Sequence, residues 1–314
     1  MSDPKLKSCQ RLMRYGANYA GLLPFFLLLL VFIFAPLVYG IAMSFTNWSM
    51  SSTKTGVSFV GLKNYSFILN GESTTSIRFL KSLSNLLLYI PFTIVIGLTI
   101  AMTLALIVSN IRGKMYGLFR SIYFVPTVLP LYLCASVWNW LMAADTGLIA
   151  NVLGKLGIGQ GVVWVNTPGY AIALVVLIDI WNSIGFNFII FSTGIQDVPT
   201  ELYEAAEIDG ASVVQRMLHI TLPMIEPIIF FVITYSFISA LQIYDIPYML
   251  SYRGNLDNMG GPNQVTLFPV MEMVRNVYNG AKSGLARASA EGVVLMLIIM
   301  AITAVQFMLR KKKV

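Results

Sequence analysis

The chain has 314 residues, of which 57% are hydrophobic and 11% charged. So little charge cannot cover a soluble domain, and apolar stretches of about twenty residues, recurring about six times, exclude a single buried core and indicate membrane spans. The formal net charge of +7 does not indicate nucleic-acid binding, because Lys and Arg sit in short segments beside the apolar stretches and form no stripe able to track a phosphate backbone.

The chain opens with a basic tail, residues 1–18, holding Lys5, Lys7, Arg11 and Arg14. The first span is predicted at 19–44. It is too long for the apolar region of a signal peptide and no small-x-small site follows, so it is read as retained. Further spans are predicted at 85–108, 122–142, 170–193, 227–250 and 288–309. Each has about 21 to 26 residues, enough for a helix to cross ~30 Å of hydrocarbon. Helices satisfy their own backbone hydrogen bonds in lipid, and the stretches are continuous rather than alternating, which excludes a barrel. The fold class is therefore an all-α membrane protein of about six transmembrane helices, with a transmembrane domain over 19–309 and a basic end at 310–314.

Six spans place the tail, the loop holding Arg112, Lys114 and Arg120, the 194–226 loop and the terminal Arg310, Lys311, Lys312 and Lys313 on one side. That side carries about 12 of the 21 basic residues and is expected to be cytoplasmic, with both termini there. The opposite loops are longer. They carry Trp48, Trp138, Trp140 and Trp164, which suit the headgroup layer. Pro24, Pro36, Pro91, Pro126 and Pro130 lie in or near spans, where membrane helices tolerate them. Cys9 and Cys134 are too far apart in context to suggest a disulfide framework. One histidine, His219, and no Cys/His cluster give no expectation of a metal site.

Polar groups inside spans are costly and usually face a cavity or a partner. In the fourth span Asp179, Asn182, Ser183, Phe186 and Asn187 fall within about 140° of the helix surface at 100° per residue. In the fifth, Tyr235, Ser236, Ser239 and Gln242 share a face. Asp and Asn can hydrogen-bond a polar solute and aromatic rings can cover its apolar faces, so these residues are candidates for a solute path. The alternative is that they join helices to one another. Asp245 and Glu291 lie near the outer ends of spans and are expected to be solvated or paired, and Glu226 lies at the cytoplasmic end.

The loop between the fourth and fifth spans reads Glu204-Ala205-Ala206-Glu207-Ile208-Asp209-Gly210-Ala211, then Ile220-Thr221-Leu222-Pro223. Pro199 and Thr200 can open a short helix, Gly210 can end it at positive φ, and Pro223 sits near the start of the fifth span. The spacing predicts a helix–turn–helix under the membrane with a slim alanine face and acidic edges; an ordinary connecting loop is the alternative on physics alone.

This spacing resembles the EAA motif of ABC importer permeases: E-A-A, three residues, G, nine residues, I-x-L-P. Glu204, Ala205, Ala206, Gly210, Ile220, Leu222 and Pro223 occupy every fixed position. The resemblance runs from about Gly21 to Leu309. Ser44-Phe45-Thr46-Asn47-Trp48, Phe59-Val60-Gly61-Leu62-Lys63-Asn64-Tyr65, Phe119-Arg120-Ser121-Ile122-Tyr123-Phe124-Val125-Pro126 and Gly260-Gly261-Pro262 with Thr266 are similar to sugar-type permeases. That branch contains the larger permeases of the maltose and glycerol-3-phosphate systems. The chain departs from the pattern between Asp245 and Gly260, where Ser251–Met259 is longer than usual.

The resemblance implies the permease subunit of an ATP-driven, binding-protein-dependent importer in a prokaryotic inner membrane, forming the path for a sugar or oligosaccharide. The EAA loop would dock in a cleft of the ATPase, with Glu204 and Asp209 at the contact and Gly210 allowing the turn. It also implies a second homologous permease, two ATPase subunits and an extracytoplasmic solute-binding protein. The chain has no G-x-x-x-x-G-K-[ST] loop to cradle phosphates: Gly154-Lys155 runs into Leu156, and Lys282-Ser283 follows Ala281. It is therefore expected to be no enzyme and to bind no cofactor, with ATP and Mg held by the partner ATPase. An ion-coupled transporter would place ionisable groups at the midplane, where only Asp179 is suited. That alternative, and a non-transporting assembly protein, both leave the EAA loop unexplained.

Overall fold

The computed structural model describes residues 21–49, 56–109, 111, 113–252, 254–279 and 283–311. The basic tail, Cys9, Arg112, Lys312 and Lys313, on which part of the expected orientation rests, lie outside the described residues, as does the side chain of Lys311. Five helices are long and apolar enough to cross a membrane, and a bent pair makes a sixth. Among the described residues the one extended pairing is an isolated bridge between Thr46 and Phe59.

Helix α1, Gly21–Ser44, carries a π turn at Leu30–Phe34, just ahead of Pro36. Short α2, Lys63–Leu69, leads to α3, Thr74–Ser109, which keeps Pro91 inside an unbroken helix. At 36 residues α3 is about 54 Å long and overruns a ~30 Å hydrocarbon layer. Its first three turns hold Arg78, Lys81 and several serines, too polar to read as a span, so it starts eleven residues before the predicted 85. Those turns are held by protein: Arg78 is buried against Glu272.

The predicted crossing at 122–142 falls on a bent pair of helices. It consists of α4, Lys114–Val128, and α5, Leu131–Leu141, bent by 96°. Leu129 and Pro130 are both extended, with ψ of 138° and 130°. A proline disfavours the α region for the residue before it and brings no N–H of its own. Pro126, by contrast, stays inside α4.

Helix α6, Leu148–Lys155, precedes α7, Pro168–Gln196, which begins with proline at its first turn, where a missing N–H costs nothing. Helices α8, Thr200–Ile208, and α9, Val213–Arg216, form the inter-span segment. The fifth span is α10, Glu226–Leu241, and α11, Asp245–Ser251. Outer helix α12, Pro269–Tyr278, and α13, Gly284–Lys311, complete the chain.

Helix α7 is the hub, packed by α3, α4, α5, α10 and α11. One apolar cluster, with Tyr89, Leu174, Ile178 and Phe268, fills the end away from α8; another, with Ala101, Phe188, Phe191 and Ile225, fills the α8 end. Close approach depends on Gly185, where an added Cβ would strike the Tyr123 carbonyl and the Thr127 hydroxyl of α4. Two tryptophans expected among headgroups turn inward: Trp164 is buried edge-on to Tyr170, and half-buried Trp138 packs on Trp181.

Candidate functional site

Helix α8 stands clear of the bundle. Glu204, Ala205, Asp209 and Gly210 are exposed and Ala206 is half-buried. Gly210 has φ +75°, which a β-branched residue resists, and its N–H donates to the Glu207 carbonyl while Ala211 N–H donates to that of Ala206. Ser212 then caps α9 in a reciprocal capping box with Gln215. A π turn, Met217–Thr221, leads through Leu222–Met224 to the fifth span.

The motif residues divide by role. Ile220 and Leu222 pack into the cluster around Phe188, Phe191 and Ile225, and Pro223 is exposed beside them. Tyr203 on α8 meets Thr221 hydroxyl to hydroxyl at 2.9 Å. This bond ties the projecting helix to the base of the fifth span. Arg216 and Glu207 pair at 3.1 Å on the surface, where ion pairs contribute little. Glu204 and Glu207 also line a cleft of about 750 Å³ between α8 and the bundle. Sequence reasoning missed the apolar tip. Ile208 is 87% exposed, Val213 67% and Val214 59%. The turn tip thus presents three branched apolar side chains beside the exposed carboxylates of Glu204, Glu207 and Asp209. The signal was readable as Ile208 beside the acidic motif, but its exposure depends on how the turn projects.

The solute-path candidates separate into three settings. Half-buried Asp179 lies beside the hydroxyl of fully buried Tyr89 on α3, which meets no acceptor at full hydrogen-bond geometry. Asn182 is engaged between helices: its amide donates to the Pro126 carbonyl at 2.6 Å, and Thr127 donates to the Asn182 carbonyl at 2.6 Å. This satisfies backbone freed where α4 ends. Ser183 donates to the Ile180 carbonyl of its own helix at 3.3 Å, and Asn187 is buried. Phe186 and Tyr235 bring the two predicted faces together, ring centroids 5.0 Å apart, with Phe231 stacked on Tyr235 at 6.3 Å. Tyr235, Ser239 and Gln242 are exposed along α10.

Charges at the end away from α8 form a buried network. Arg78 Nε donates to Glu272 at 2.8 Å, and Arg275 reaches both Glu272 and exposed Asp257. Arg78 also donates to the Met259 carbonyl, so the long 251–259 segment is folded onto α3. Glu291 is fully buried and accepts from Asn276 at 2.7 Å, while Asp245 is exposed. Glu226 pairs with Arg310 at 3.4 Å.

Five spanning helices and a bent pair, with α8 projecting from one end, define an all-α membrane protein. Residues 94–313 match the family model described as the binding-protein-dependent transport system inner membrane component. The arabinooligosaccharides transport system permease protein AraP of Halalkalibacterium halodurans is 32% identical over 294 residues, covering 93% of this chain and 86% of that protein. The sulfoquinovosyl glycerol transport system permease protein SmoG of Agrobacterium fabrum is 31% identical, covering 91% of this chain and 86% of its own length. The crystal structure of a bacterial alginate ABC transporter, in complex with alginate pentasaccharide-bound periplasmic protein, contains a chain with TM-score 0.77. It is 21% identical, with 95% of this chain and 94% of that one covered, a likeness of fold.

The chain belongs to the family of binding-protein-dependent transport system inner membrane components. It is a permease subunit of an ABC transport system, a transport protein and not an enzyme, as its resemblance to the carbohydrate-uptake branch implied.

Proposed function

We propose that this chain forms, with a second homologous permease, the path by which a sugar or oligosaccharide enters a prokaryotic cell across the inner membrane. The observation that carries this reading is the projecting α8–Gly210 turn, with Glu204, Asp209 and Ile208 free on its surface. It docks on an ATPase subunit; two such subunits bind ATP and Mg and supply the energy, and an extracytoplasmic binding protein delivers the solute. Both termini are cytoplasmic. Relatives named for arabinooligosaccharides and sulfoquinovosyl glycerol support a carbohydrate cargo. Asp179, Phe186, Tyr235, Ser239 and Gln242 line its path, the carboxylate accepting hydroxyls and the rings covering apolar sugar faces.

Open surface supports the second permease. The apolar groove between α3 and α10 continues from Leu83 to Ile107, and both of its sections share Leu98, Thr99 and Ile233. Those 24 residue steps of α3 are about 36 Å long, the length of one spanning helix. A helix of the second permease fits there. Mild solubilisation, affinity capture of this chain and mass spectrometry of the captured proteins test the assembly. A second permease and an ATPase in the captured complex, with oligosaccharide uptake that requires the ATPase, are the expected results. Capture of this chain alone, with uptake driven by a sodium or proton gradient, would overturn the reading.

A further inference from the structure

The fifth span is not one helix. Helix α10 stops at Leu241, and α11 resumes at Asp245 after Gln242, Ile243 and Tyr244. Tyr244, Tyr248 and Tyr252 follow at four-residue spacing, so one face carries all three. Their rings stack in series, centroids 5.0 Å and 4.8 Å apart with interplanar angles of 25° and 13°. Tyr132, on the outer limb α5 of the other broken span, and Tyr278, at the end of α12, approach the same cluster. Helices α5 and α11 pack directly on one another, so the cluster sits where the two broken spans meet. Among the described residues no hydroxyl of Tyr244, Tyr248 or Tyr252 has a hydrogen-bond partner, and all three side chains are half-buried.

Tyrosines that merely anchor a helix at the membrane surface are scattered rings with hydroxyls among headgroups. Here three rings cover each other's faces and leave a row of hydroxyls as their free chemistry. Each phenol both donates and accepts, which matches the hydroxyls of a carbohydrate and not those of an anion or an apolar solute. From the first ring centroid to the last the row reaches about 10 Å at most, and exposed Ser239 and Gln242 precede its first member in the chain by five and two residues.

We propose that Tyr244, Tyr248 and Tyr252 form an outer carbohydrate subsite, which receives sugar released above the permease and passes it to Gln242 and Ser239. The proposal rests on the sugar-permease reading. It adds a binding site outside the fourth-span residues, and it assigns the break in the fifth span the task of turning the tyrosine row toward the path.

The test uses the full complex in proteoliposomes with its binding protein, and arabinotriose and maltotriose as probes. Sugar imported is measured against ATP hydrolysed for the wild type, Tyr248→Phe, Tyr252→Phe and the double variant. Phenylalanine keeps the ring stack and removes only the hydroxyl. Loss of one neutral hydrogen bond corresponds to about a 2- to 10-fold effect. Sugar imported per ATP hydrolysed should therefore fall by that factor in each single variant and further in the double. A wild-type ratio in the double variant would overturn the subsite. A parallel fall of import and ATP hydrolysis, leaving the ratio unchanged, would also overturn it and assign the row to binding-protein docking. A wild-type complex that hydrolyses ATP with its binding protein but imports neither probe would count against the sugar reading itself, and the subsite would fall with it.

Discussion

Asp179 and Asn182 stand three residues apart on α7 and meet different surroundings. Asn182 holds the Pro126 carbonyl at the end of α4, and Asp179 faces α3 beside Tyr89. Removing the Asn182 amide leaves the Pro126 carbonyl with the Leu129 N–H alone at 3.2 Å and loses one interhelical hydrogen bond at the α4–α5 corner, at a cost of about 0.5–1.5 kcal/mol. Asn182→Ala should therefore lower the amount of intact complex in membranes while uptake per complex stays near the wild-type value. Asp179→Ala removes an acceptor for a solute stripped of water. Loss of a bond to a charged group costs about 1.5–3 kcal/mol, so uptake per complex should fall roughly 10- to 100-fold. Uptake normalised to intact complex separates the two; normal uptake per complex in Asp179→Ala would remove that residue from the path. Helical periodicity put both residues on one face. It could not say which part of the face meets α4, because that is decided by the turn at Leu129 and Pro130.

Among the elements, the α8 segment was the most legible, since proline, alanines, glycine and the I-x-L-P end each have a local conformational meaning. Gly210 does take φ +75° and no atom crowds its Cβ position, so a larger residue is opposed there by backbone conformation alone. Gly210→Val should distort the turn, and Glu204→Lys should reverse a charge at the docking surface. Both variants should reach the membrane and capture less ATPase than the wild type; wild-type capture and uptake by both would sink the docking assignment. The bends were less legible. Apolar content is the same whether a span runs straight or turns by 96°, so hydropathy located the third span without its corner. Pro91 and Pro126 lie inside helices while Pro130 ends one, a difference set by how neighbouring helices satisfy the freed backbone. The outward extension of α3 was hidden for the opposite reason: Arg78 and its serines look like a loop until Glu272, distant in sequence, closes over them.

At the scale of the whole molecule, the buried Arg78–Glu272–Arg275 network fastens the end away from α8, joining α3, α12 and the 251–259 segment. Removing one partner of a buried pair leaves an uncompensated charge and costs about 3–5 kcal/mol. Glu272→Ala should accordingly lower the midpoint of thermal unfolding of the purified complex, and Arg78→Met combined with Glu272→Met should restore much of it. A single Glu272→Ala variant as stable as the wild type would show the network to be idle. Orientation is open to reporter fusions at Val314 and after Thr53, which should report opposite sides of the membrane; the same side would break the six-span layout. The most direct test of the central claim is import of labelled oligosaccharide into proteoliposomes holding this chain, its second permease and the ATPase, with binding protein outside and ATP inside. Import should require ATP and the binding protein and should be abolished when Gly210→Val uncouples α8. Import that continues without ATP, or that Gly210→Val leaves at the wild-type rate, would contradict it.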